Sequence, residues 1–113
     1  MSVRVDAGAE TVHWGYFDAA LAPIVTIDSG ETVTIGSVSG PPDVMPGPPF
    51  KIPPALPAIH QAKTRRMVPG HMCTGPVAVR GARAGQVLQV DIEAVDLAYD
   101  WGYVSHRPLV GAL

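Results

Sequence analysis

The chain reads as one mostly β domain of 113 residues, a sandwich or barrel-like arrangement with little helix. Three observations lead there. Glycine and proline each occur 12 times and cut the chain into short segments, which nearly excludes long helices. The segments between these breaks are rich in Val, Ile and Thr, and the clearest of them alternate apolar with polar residues, the period of a half-buried strand. Turn signals recur at hairpin spacing, as in sandwiches and barrels. At this length there is a single domain, 1–113, with a core of modest size.

The elements come in order along the chain. Residues 21–28 form a first strand, apolar and β-branched at Ile24, Val25 and Ile27. Asp28-Ser29-Gly30-Glu31 is a turn in which Gly30 can take positive φ. Residues 31–38 then alternate, with Val33 and Ile35 on one side and Thr32 and Thr34 on the other. The two strands are expected to pair as a hairpin. Residues 41–57 hold eight of the 12 prolines, a density that no strand interior or helix tolerates. They form an extended, polyproline-like loop, either a disordered insertion or a lid or interface arm. A short helical turn fits 55–62, with Pro53 or Pro54 near its start. Residues 77–80 are a strand, and 81–85 a glycine-bracketed turn. Residues 86–97 alternate over an unusual length: Leu88, Val90, Ile92 and Ala94 toward the core, Gln89, Asp91 and Glu93 toward water. An aromatic segment, 99–103, comes next. The last residues, 107–113, are apolar with no closing element. They predict a chain that packs on another copy or partner rather than a free monomer.

Charge and composition exclude several classes. Hydrophobic residues make up 47% and charged ones 16%, a globular balance. The formal charge is −2 with no basic stripe, so nucleic acid is not the expected partner. The one basic knot, Lys63, Arg65 and Arg66, reads as a solvated face, with substrate or partner contact as the alternative. A single cysteine, Cys73, rules out an internal disulfide and points to a reducing compartment. The first ten residues carry acids and no apolar run, so no signal peptide is expected. No stretch approaches the roughly 20 apolar residues of a bilayer span, and the expected location is cytoplasmic.

The chain lacks the strong metal, phosphate and nucleophile-elbow signatures. Any site must therefore be assembled from distant residues. His71 follows Pro69-Gly70 on irregular backbone, three residues before Thr74-Gly75-Pro76. It suits a metal ligand or a general base, or simply a surface residue at a turn. His13 precedes Trp14-Gly15-Tyr16 and is open to packing, ligation or substrate contact. Asp100 precedes Trp101-Gly102, where a carboxylate binds backbone N–H groups or, less commonly, serves as ligand or acid/base. Cys73 is read as a small buried hydrophobe, with a thiol nucleophile as the rival reading and no convincing base in the sequence. His60 and His106 carry no context that lifts them above exposed or loosely packed residues.

Three blocks carry a resemblance. The first is Thr11-Val12-His13-Trp14-Gly15-Tyr16-Phe17-Asp18, continuing through Pro23-Ile24-Val25-Thr26-Ile27-Asp28-Ser29-Gly30-Glu31-Thr32-Val33. The second is His71-Met72-Cys73-Thr74-Gly75-Pro76, followed by Gly81 and Gly85-Gln86-Val87-Leu88. The third is Asp100-Trp101-Gly102-Tyr103 and on to Arg107-Pro108-Leu109-Val110-Gly111. Together, and in this order, they resemble the N-terminal region of the acetamidase/formamidase family. The resemblance implies a mostly β fold and hydrolysis of formamide or acetamide to ammonia and the carboxylic acid. It also implies a divalent metal, zinc by preference, which would polarise the carbonyl and activate water. His71, His13 and Asp100 are then the candidate ligands, His71 and Asp100 the candidate acid/base groups, and Thr74 and Trp101 the candidate substrate contacts. Members of that family are longer, and their further glycine-, aspartate- and histidine-rich motifs are absent here. A partner chain supplying them, or a homo-oligomer, is expected. Gln86, Glu31 and Cys73 are mild departures from the family pattern. The competing expectation is a non-catalytic β-sandwich module for binding or oligomerisation.

Overall fold

The structure is a computed structural model and describes residues 2–62 and 70–111. The basic knot at 63–66 and the last two apolar residues lie outside them. Six three-residue strands and one short helix make up the regular structure: β1 Val3–Val5, β2 Val12–Trp14, β3 Val25–Ile27, β4 Val33–Ile35, α1 Ala55–Gln61, β5 Met72–Thr74 and β6 Val77–Val79. A 3-10 turn, Pro42–Val44, interrupts the proline-rich segment. The fold is mostly β, as expected. The described strands form three two-stranded sheets and no closed barrel.

The pairing has a simple rule: each strand joins the one three places later. β1 runs parallel to β4, with Val3 beside Val33 and Val5 beside Ile35. β3 runs parallel to β6, with Val25 beside Val77 and Ile27 beside Val79. β2 runs antiparallel to β5, with Val12 opposite Thr74 and Trp14 opposite Met72. Parallel pairs need long crossover connections, so the three ribbons are interleaved along the chain.

This corrects the expected hairpin. The turn forms as read: the Glu31 N–H donates to the Asp28 carbonyl at 3.1 Å, and Gly30 holds φ +88°. The Glu31 carboxylate also accepts from the Asp28 N–H at 2.6 Å. The strands on either side nevertheless belong to different sheets, because β1 and β6 offer each a long-range partner.

The core is small and centres on β2 and α1. Val12 and Trp14 lie two apart on one face of β2 and pack against Ile59, with Ala7, Val38, Ala55 and Met72 at the margin. Leu56 and Ile59, one turn apart on α1, are fully buried. The helix begins after Pro54, so the proline-rich loop ends earlier than residue 57, and Pro57 sits in the first turn, where its missing N–H costs nothing. Trp14 Nε1 donates to the Gly70 carbonyl at 2.9 Å, which ties the strand to the chain entering β5. His60 is part of this core rather than loosely placed. Its Nε2 donates to the Gly40 carbonyl at 2.9 Å, and its ring lies 5.2 Å from that of Trp14.

The second correction concerns 86–97. The preceding turn is present, with Gly81 and Gly85 both at positive φ. The chain beyond it is extended but forms no strand, and its expected core face is open: Leu88, Val90 and Ile92 are 68%, 72% and 79% exposed. Alternation specifies which side of a strand is apolar, whereas a strand exists only through bonds to a neighbour. Among the described residues no backbone group of 87–97 has such a bond. The radius of gyration reflects this arm: 16.2 Å, against about 13 Å for a compact chain of similar length. No described helix is long and apolar enough to cross a membrane.

Candidate functional site

The β2–β5 ribbon brings two of the three motif blocks together. His13 faces Cys73 directly across the antiparallel ladder, while its neighbours Val12 and Trp14 turn into the core. Directly opposed residues share a face, with Cβ atoms about 5 Å apart. The His13 imidazole then reaches the turn that ends β5, with Nδ1 3.3 Å from the Gly75 carbonyl oxygen. A carbonyl only accepts, so Nδ1 is the donor in this contact, and in the neutral ring Nε2 is then the unprotonated nitrogen. Tyr16 stands beside it in an edge-on contact, ring centres 5.4 Å apart. Gly75 holds φ +132°, a conformation that suits glycine. Its N–H donates to the Thr11 carbonyl at 2.9 Å, closing the turn onto the start of β2.

Beside this turn lies an open depression of about 490 Å³, lined among others by Glu10, Thr11, His13, Tyr16, Gly75 and Pro76. Its lining mixes polar side chains such as Glu10, Thr11 and His13 with apolar ones such as Leu21 and Ile24. His13 is half-buried, so its position is set by packing and by the Gly75 contact rather than left to solvent.

The remaining candidates are dispersed. His71 is exposed, and its carbonyl accepts from the Gly15 N–H at 3.1 Å; its ring has no hydrogen bond among the described residues. Thr74 turns its hydroxyl to the Gly36 carbonyl at 2.7 Å, a bond that fastens the ribbon to the chain beyond β4. Trp101 Nε1 donates to the Lys51 carbonyl at 2.8 Å and its ring stacks at 5.0 Å on Tyr99. Tyr103 closes over Gly40. The third block is thus anchored on the proline-rich segment, and neither Asp100, which is exposed, nor Trp101 lines the His13 depression. Cys73 points its thiol at the His71 carbonyl, 3.8 Å away. The pairing of His13 with Cys73 was beyond sequence reasoning, because 60 positions separate them and only the strand register sets them opposite.

The donor set can be tested against zinc. A catalytic zinc takes three protein ligands and a structural one four. Among the described residues no three His, Cys, Asp or Glu side chains stand close enough to hold an ion. The described residues alone therefore do not fit the implied metal. Comparison with family models, with curated proteins and with solved structures finds no match to this chain.

Proposed function

We propose that the chain is the N-terminal scaffold of an acetamidase/formamidase-like hydrolase of small linear amides, with the amide held in the depression beside His13. One observation carries the reading: the His13 block and the Thr74-Gly75-Pro76 block, distant in sequence, meet at one open depression through the contact of His13 with Gly75. The free Nε2 of His13 can take a proton from water as it adds to the amide carbon, and return it to the departing nitrogen. The C–N bond breaks, and the products are the carboxylic acid and ammonia. Among the described residues His13 and Cys73 are two juxtaposed donors, fewer than a zinc site needs. A divalent ion belongs to the proposal only with a donor from a partner chain or a second copy. A cytoplasmic setting is part of the same reading.

The test is ammonia release from formamide and acetamide by the purified chain, with and without chelator, beside a His13→Ala variant. The expected result is release that His13→Ala reduces by a factor of about 10²–10⁴, the usual worth of a general base. Release that His13→Ala leaves intact overturns the role of His13. Release lost with Cys73→Ser instead identifies a thiol nucleophile. No release by the chain or its assemblies favours the second reading, a non-catalytic oligomerisation module. The unpaired apolar arm at 86–97 specifically favours that reading.

A further inference from the structure

Amide hydrolysis in the depression needs two groups from the protein. A base takes the proton of the attacking water, and a donor meets the oxygen on which negative charge collects. His13 is the base. Most donors around the depression are committed elsewhere. The Thr11 hydroxyl donates to the Asp6 carbonyl at 2.6 Å. The Thr11 and Val12 N–H groups both donate to the Gly8 carbonyl, at 3.2 and 3.1 Å. The Gly75 N–H donates to the Thr11 carbonyl at 2.9 Å, and the Ile24 N–H to the Pro76 carbonyl at 2.8 Å. His13 Nδ1 is held by the Gly75 carbonyl. An ionised carboxylate such as that of Glu10 only accepts.

Tyr16 differs. It lines the depression, it is half-buried, and its hydroxyl has no hydrogen bond among the described residues. Of the lining side-chain donors it alone is uncommitted. Its place beside His13 follows from the backbone. In a continuing strand residues 13 and 16 would point to opposite faces. β2 instead ends at Trp14, and Gly15 turns the chain at φ +79°, a conformation that favours glycine. The Tyr16 ring comes edge-on to His13, centres 5.4 Å apart at 64°. Base and uncommitted hydroxyl are therefore carried on neighbouring rings. That is the scale of one amide with its attacking water, each hydrogen bond taking about 2.8 Å.

We propose that the Tyr16 hydroxyl is the oxyanion donor of this site, hydrogen-bonded to the carbonyl oxygen of the bound amide. The inference rests on the amidase reading of the His13 depression. As water adds, the new C–O bond forms, its proton passes to His13 Nε2, and the carbonyl π pair moves onto the oxygen facing Tyr16. When that pair returns, the C–N bond breaks and the nitrogen leaves with the proton from His13 as ammonia. Tyr16 keeps its own proton throughout, and its bond strengthens as the charge develops.

Steady-state ammonia release from acetamide and from thioacetamide by the purified chain, Tyr16→Phe and His13→Ala tests it. Tyr16→Phe keeps the ring against His13 and removes only the O–H. It should lower kcat on acetamide by a factor of about 10² with KM little changed, the lower end of what one such donor is worth because the depression is open. Thioacetamide presents sulfur, a weak acceptor, in place of the oxygen. The preference for acetamide over thioacetamide should therefore shrink in Tyr16→Phe by most of that factor, a change that a packing role alone would not produce. Full release by Tyr16→Phe, with His13→Ala still lowering it, overturns the role of the hydroxyl and leaves the reading of the depression standing. So does an equal loss on both substrates. Release insensitive to His13→Ala, or no release, overturns that reading and this inference with it.

Discussion

The small core makes Ile59 the most exacting test of the fold. The side chain is fully buried on α1 and packs against Val12 and Trp14 of β2. Ile59→Val removes one carbon and Ile59→Ala three. At about 0.8 kcal/mol per buried CH₂ the transfer loss is about 0.8 kcal/mol for valine and about 2.4 kcal/mol for alanine. The cavity left by alanine adds to this, giving a range of about 2–5 kcal/mol. Alanine's better helix propensity returns only a few tenths of a kcal/mol. A domain of this size holds about 5–15 kcal/mol in all, so Ile59→Ala removes a large share of it. Urea denaturation followed by tryptophan fluorescence measures the change, since Trp14 sits against the altered side chain. The midpoint should fall in the order wild type, Ile59→Val, Ile59→Ala, with an unchanged denaturant slope. Gln61→Ala, on the exposed side of the same helix, should stay within about 0.5 kcal/mol of wild type. Equal effects of Ile59→Ala and Gln61→Ala would refute the assignment of α1 as the lid of this core.

Two further predictions concern the joints between ribbons. A Cβ built on Gly70 would lie 2.8 Å from the Gly15 Cα, a backbone contact that cannot rotate away. Gly70→Ala should therefore destabilise by about 1–3 kcal/mol, as overpacking does, and disturb the Trp14 bond to the Gly70 carbonyl, read as a shifted tryptophan emission. At the end of β6, Arg80 Nε meets the Asp28 carboxylate at 2.7 Å with both side chains well exposed. Arg80→Ala should cost at most about 1 kcal/mol in thermal or urea unfolding, less at high salt.

Local chemistry was legible in the sequence, and partner choice was not. Ile24, Val25 and Ile27, and separately Val33 and Ile35, announce β structure by residue type and alternation, and β3 and β4 form there. Pro53 and Pro54 announce the start of α1 because their fixed φ suits a helix entry. Gly30 announces the turn between the strands. The hairpin inference failed at the next level, since a good turn constrains only the chain that passes through it. Val3–Val5 and Val77–Val79 compete for the same strands from afar and win both. β1, β2 and β5 escaped notice because no longer β-branched or alternating stretch surrounds their three residues, whereas β3 and β4 lie within such stretches at 21–28 and 31–38. The same brevity hid the register that sets His13 opposite Cys73. For 86–97 the alternation was read correctly as a pattern, but a pattern of one strand carries no statement about what lies beside it.

The site obeys the same logic. The motif residues were chosen for their chemistry, yet the ribbon sorts them by where their side chains are already committed. Thr74 spends its hydroxyl on Gly36, Trp101 its indole N–H on Lys51, and His60 its Nε2 on Gly40. Each of these is a joint between segments, and a joint cannot also be a free donor to substrate without loosening the fold. His13 differs because its one hydrogen bond among the described residues uses Nδ1 and leaves the other nitrogen unspent, beside a depression rather than a packed interface. His71 is also free, but on exposed chain with nothing described around its ring to orient it. A catalytic group needs both freedom at the reacting atom and restraint behind it. Of the candidates named from sequence, His13 alone has the two together, which is why the amidase proposal stands or falls on its substitution rather than on that of His71 or Asp100.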